Sequence, residues 1–120
     1  MTFVQEAEDL FVVTIQGVLR FEDLKAIERD ARARMDRTSR ARVLVLAGQF
    51  SGWGKQGDWG DLTFMYEFDP LIERIAVLAN ETWKDEFLMF LGAGNRQAAV
   101  LFFTTGQENV ARDWLGSVQE

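Results

Sequence analysis

The chain has 120 residues, the size of one domain, and its balance of 48% hydrophobic to 27% charged residues is that of an ordinary globular protein, not a disordered one. It contains no cysteine and no histidine, which excludes disulfides, thiolate nucleophiles and zinc–thiolate sites and removes the side chain that titrates near neutral pH. A net charge of −6 disfavours nucleic acid as a partner, but residues 25–42 hold seven basic against three acidic side chains, a local +4 that leaves −10 on the remainder.

A strand is predicted over Leu10–Leu19, rich in Val, Ile, Phe and Thr, with a shorter one over residues 2–6 ahead of it and a turn at 6–9. From residue 21 to 35 the period becomes helical: Phe21, Leu24, Ile27, Ala31 and Met35 share a face, and Lys25, Arg29 and Arg32 line a flank. Residues 42–47 (RVLVLA) read as a buried strand. The glycine-rich stretch 48–60, with Trp53 and Trp59, reads as a long loop, and loops of that length in compact domains usually have a role. Residues 61–68 have helical spacing and are stopped by Pro70, and 73–79 (ERIAVLA) read as a third buried strand. Asn80 suits the N-cap of a helix over 81–91 that presents Trp83, Phe87, Phe90 and Leu91 and ends at Gly92 and Gly94. The last strand is 97–103, and Thr105 with Glu108 fits a capping box opening a helix that turns Val110, Ala111, Trp114 and Leu115 inward.

Strands alternating with helices predict an α/β domain: a mostly parallel sheet of four or five strands flanked by helices, one domain over residues 1–120. Val43, Val45, Ile75, Val77, Val100 and Phe102 are expected in its core. The N-terminus has no basic segment followed by an apolar run, and no stretch nears the roughly 20 apolar residues needed to cross a bilayer. A cytoplasmic protein is expected, with peripheral membrane contact left open.

Several pieces resemble the SpoIIAA-like family, a bacterial branch of the STAS-type fold. They are the strand end Gly17-Val18-Leu19 with Glu22-Asp23-Leu24 opening the first helix, Phe50-Ser51-Gly52-Trp53, residues 73–77 (ERIAV) followed by Trp83, and residues 111–115 (ARDWL). They run in the family's order along nearly the whole chain. The resemblance implies a sheet flanked by helices and a binding or scaffolding role instead of catalysis. Relatives are similar to lipid-carrier domains in fold and are thought to hold an apolar ligand or touch membranes. Better-known STAS proteins act as anti-anti-sigma switches, phosphorylated on a Ser in the loop after a central strand. Two departures stand out. Arg20 occupies the place of a capping Thr or Ser, and the region after Ala47 offers Ser51 alone where the switch proteins have an Asp-Ser pair.

Each candidate site has two readings. Residues 48–54 (GQFSGWG) match neither a P-loop nor a dinucleotide fingerprint; the glycines either make turns with Trp53 packed over a sheet edge, or form a loop that gates a pocket. On the 61–68 helix, Trp59, Leu62, Met65 and Tyr66 share one face and Phe64 and Phe68 the other, while Leu88 and Met89 lie off the Trp83/Phe87/Phe90 face. Such residues are either scattered exposed hydrophobics or an apolar groove or dimer surface, whose wall would comprise Phe50, Trp53, Trp59, Phe64, Phe68, Leu88 and Met89. Arg29, Arg32, Arg37 and Arg40 are a solvated helix end that complements the macrodipole, or an anionic-surface contact. Asp58 and Asp61 suit either helix capping or an acid–base pair, the latter without any supporting nucleophile or base. The expectation is therefore a non-catalytic protein that binds an apolar or amphipathic small molecule, a lipid or a membrane-associated partner. The alternative is a STAS-type protein-interaction switch through Ser51. Neither reading implies a cofactor or a metal; a protein partner and a homodimer are both open.

Overall fold

Five strands form a single sheet whose spatial order is the order of the chain. In the computed structural model, residues 2–7, 9–34, 41–54, 71–91 and 99–116 are described. β1 (Thr2–Gln5) pairs antiparallel with β2 (Leu10–Leu19), and β3 (Ala41–Trp53), β4 (Ile72–Ala79) and β5 (Ala99–Phe103) follow in parallel. The helices are α1 (Phe21–Arg34), α2 (Lys84–Phe90), entered through a 3-10 turn at Glu81–Trp83, and α3 (Glu108–Gly116). The mostly parallel sheet and flanking helices are those expected from the alternation of periods.

Successive crossovers of one hand, stepping the same way along a sheet, deposit their helices on one face. Ala31 of α1 and Phe87 of α2 accordingly share a core with Phe11, Val13, Val45, Ile75 and Val77. The chain's last helix, α3, covers the other face, where Ala111 and Leu115 meet Val12, Leu44, Ala76 and Leu78. Central β3 and β4 are buried on both sides, which is why they read as unbroken apolar runs. Val43, Val45, Ile75 and Val77 are core residues as expected, whereas Val100 and Phe102 are only half-buried because β5 is an edge strand.

Local chemistry explains the helix ends. α1 begins with Glu22 and Asp23 and ends with Arg32 and Arg34, each sign at the favourable end of the dipole. Arg20 supplies no capping hydroxyl, but its carbonyl accepts from the amides of Asp23 and Leu24, both at 3.1 Å. Asn80 caps as expected: its Oδ1 accepts from the Thr82 amide at 2.9 Å. At α3 the expected Thr105–Glu108 box is shifted by one residue. The Gln107 side-chain oxygen accepts from the Thr104 amide and hydroxyl at 3.0 and 3.1 Å, which frees Glu108 for an ion pair with Arg112. Val110, expected inward, is exposed.

The C-terminus of α3 is held by two arginines that are register neighbours on β3 and β4. Arg42 donates to the Leu115 carbonyl and pairs with Glu73; buried Arg74 donates to the Trp114 carbonyl and lies under the Trp114 ring, 5.1 Å from its centroid. Carbonyls of a last helical turn lack intrahelical donors, and guanidinium groups satisfy both the hydrogen bonds and the dipole. Arg42, counted by sequence with the basic run, is therefore a structural residue of the opposite sheet face. Among the described residues no helix is long and apolar enough to cross a membrane.

The side chain most committed to packing is Phe87, at 0% exposure, and one of the least is Val18, at 52%. Phe87→Ala is expected to lower the unfolding free energy by about 3–5 kcal/mol, and Val18→Ala to change it by less than about 0.5 kcal/mol. Urea denaturation of the two variants, at unchanged m-value, checks this contrast.

Candidate functional site

β3 outruns β4. Its pairing with β4 stops at Ala47 opposite Ala79, and residues 48–53 continue against β2 alone. Two register shifts bend this extension. Between the Thr14–Leu46 and Gln16–Gln49 pairs, β3 advances three residues to the two of β2; between Gly17–Phe50 and Val18–Gly52 it advances two to one. Gly17 and Gly52 flank the second shift at φ +69° and +150°, conformations that need glycine. The stretch 48–53, expected to be loop, is therefore bulged strand: the glycines curve it and do not interrupt it.

On the α1/α2 side this extension is sealed by aromatics. The Phe50 ring meets Trp53 and Trp83, each at 4.9 Å, and Phe87 at 4.8 Å, all near edge-to-face; Trp53 and Phe87 are 5.2 Å apart. Trp53 Nε1 donates to Glu86 Oε1 at 3.1 Å, fixing the strand end to α2.

On the α3 side the described residues leave a cleft. Past the reach of Leu44 and Ala76, the strand ends and the start of α3 enclose a cleft of about 370 Å³. Thr14, Gln16, Gln49, Thr105 and Glu108 line it over a floor of Leu46 and Leu78. The carboxyl ends of parallel strands are where open α/β sheets bind ligands, because side chains and loops converge there without covering helices.

Arg112 braces one wall. Its Nε reaches Glu108 Oε2 at 2.9 Å and its Nη1 reaches Glu6 Oε2 at 2.8 Å, tying α3 to the chain just after β1. Hydrogen bonding from Arg112, helped by its charge and opposed by slight desolvation, holds the Glu6 carboxyl below its ordinary value of 4.5. The bonds that Arg112 donates to Glu6 and Glu108 push its guanidinium upward. The cleft thus presents hydroxyls, carboxamides and one carboxylate oriented by a paired arginine. These are groups for hydrogen bonding, without a nucleophile–base pair among them.

The SpoIIAA-like sequence profile matches residues 10–116. The chain belongs to the SpoIIAA-like family. A crystal structure of a Shewanella loihica PV-4 protein of the DUF3478 family, described as having a SpoIIAA-like fold, superposes with a TM-score of 0.73 at 15% identity, covering 95% of this chain and 90% of that one. No curated protein matches the sequence.

In this SpoIIAA-like domain four of the residues expected to form an apolar groove, Phe50, Trp53, Leu88 and Met89, are among those described. Phe50 is buried among the other aromatics and is a core residue. Trp53 is half-buried and bonded to Glu86. Leu88 is half-buried, and Met89 is 79% exposed on the outer side of α2. Trp59, Phe64, Phe68, Arg37, Arg40, Asp58 and Asp61 lie outside the described residues. Arg29 and Arg32 are exposed on α1, and Ser51 is exposed in the second bulge. The cleft residues were not anticipated, although β2 carries a signal: Leu10, Val12, Thr14 and Gln16 alternate on one face and turn from apolar to polar where the cleft begins.

A carboxylate with a lowered folded-state pKa stabilises the fold at pH above its unfolded value and loses that contribution as pH falls through the folded value. Glu6→Gln should therefore destabilise at pH 7 by no more than about 1 kcal/mol, as for a solvent-exposed pair. The gap to wild type should close as the pH drops below the ordinary value of 4.5, which denaturation at a series of pH values will measure.

Proposed function

We propose that this SpoIIAA-like domain works by binding and not by catalysis, and that the polar cleft at the strand ends receives a segment of a protein partner. The observation that carries this reading is the division of chemistry between the two faces of β3. Its aromatics pack on one another on the α1/α2 side, while Gln49, with Thr14, Gln16, Thr105 and Glu108, lines a cleft on the other among the described residues. An apolar ligand would need apolar walls, since pockets for such molecules are mostly hydrophobic with few polar groups. A peptide brings its own amides, which hydroxyls and carboxamides can satisfy. Ser51, exposed on the same strand two residues from Gln49, offers a place for control. A phosphate there would add about −1.5 to −2 charges at pH 7 to a chain already at −6.

A second reading keeps the apolar or amphipathic ligand, favoured by Met89 exposed beside half-buried Leu88 on α2. Peripheral contact with an anionic membrane through Arg29 and Arg32 belongs to this reading.

One pair of measurements separates the two. Gln16→Arg and Gln49→Arg, both at exposed positions, are expected to abolish co-purification of a discrete protein partner while the melting temperature stays within a degree or two. Native mass spectrometry of the wild type is expected to give the mass of the chain without bound lipid. A lipid adduct that persists in both arginine variants would overturn the cleft reading in favour of the apolar one.

A further inference from the structure

The β5 edge plays no part in the cleft. β5 ends the sheet, so one side of its backbone has no strand partner among the described residues. Native proteins guard such edges with charge, proline, a bulge or an overlying element. Residues 97–107 (QAAVLFFTTGQ) contain neither charge nor proline. The β4–β5 register runs without a shift from Arg74–Ala99 to Leu78–Phe103.

Both helices beside this edge turn apolar side chains toward it. On α2, Glu86 faces β3 through its bond to Trp53. Leu88 lies two residues and therefore about 200° further round, on the flank away from β3, and α2 packs against β5. On α3, Arg112 reaches Glu6 on the β1 side. Val110 lies about 200° the other way, and Trp114, one turn on from it, rests against Phe103 with ring centroids 6.1 Å apart. Leu101, the middle residue of β5, is 44% exposed and Val110 is 52% exposed.

We infer that the β5 edge pairs antiparallel with β5 of a second copy of the chain across a two-fold axis, extending the sheet through the dimer. Charge selects this occupant. Two chains of net charge −6 repel each other, and a contact between copies is favoured where no charge is brought together, which residues 97–107 provide. Symmetry makes the edge self-complementary: in an antiparallel pair of identical strands, each outward N–H and C=O meets its counterpart. Centred on Leu101, such pairing sets the two Leu101 side chains against each other, with Val110 of each copy bordering them on the α3 face.

Sedimentation of the full chain over a range of concentrations tests this, alongside Leu101→Lys, Val110→Lys and, as a control remote from β5, Val18→Lys. The wild type is expected to sediment at about twice the 13.7 kDa chain mass. Each of the first two variants should weaken the dimer at least about tenfold, equivalent to about 1.4 kcal/mol, with the circular dichroism spectrum retained; Val18→Lys should leave it unchanged. Should Leu101→Lys fail to fold, Val110→Lys decides, because its helical position tolerates a lysine. A wild type that stays at the chain mass at every concentration would overturn the inference, and so would a dimer that survives both substitutions. Loss of the dimer in Val18→Lys alone would also overturn it, by moving the contact to the sheet face.

Discussion

A parallel strand that runs past its neighbour exposes backbone and side chains on both faces, and this molecule is organised around that problem in β3. Beyond Ala47 the strand has β2 on one side and no β4 on the other. Two bulges curl the extension, and the edge-to-face cluster of Phe50, Trp53, Trp83 and Phe87 covers one face of it. Each such aromatic contact contributes about 0.5–1.5 kcal/mol beyond area burial. The cluster also sets where α2 can lie, since Trp83 and Phe87 belong to its entry and first turns. The other face, among the described residues, borders the cleft.

The opposite end of the sheet depends on a different interaction. α3 is nine residues long, too short to be stable as an isolated helix. Ala111 and Leu115 anchor it by burial, and Arg42 and Arg74 hold its last carbonyls. Arg74 has its charge solvated by the helix end and its plane covered by Trp114, which makes its burial tolerable. With its C-terminus fixed over the amino ends of β3 and β4, the helix delivers its N-terminus, Thr105 and Glu108, to their carboxyl ends. The two arginines therefore position the cleft wall from the far end of the helix.

Alternating periods made the fold legible, because periodicity reports which faces are buried. Strand length and partner did not follow from it. The run GQFSGW looks like a loop to any reading based on glycine content, and only the pairing with Gln16, Gly17, Val18 and Leu19 reveals a bulged strand. Ring content does not distinguish a groove wall from a packed aromatic cluster, and Phe50, expected in the former, is buried in the latter. Arg42 and Arg74 carry a similar lesson. In sequence they are a charge at the end of a basic run and a charge inside an apolar strand, and their common role appears only when the register makes them neighbours. The residues by which the family resemblance was seen, Phe50, Trp53, Trp83 and Trp114 among them, are packing residues. They identify the fold without identifying what it binds.

α3 divides the two surfaces that remain. Its Glu108–Arg112 flank borders the cleft, and its Val110–Trp114 flank borders β5. Helical geometry makes these flanks nearly opposite, so a contact on one need not obstruct the other. A partner in the cleft would meet Glu108, already oriented by Arg112, and through Arg112 the Glu6 turn after β1. A second copy at β5 would meet an uncharged strand and the exposed Val110 of α3. The same short helix can therefore serve a polar, selective contact and an apolar, symmetric one at once, because its pinned C-terminus fixes the rotation that assigns each flank to its side.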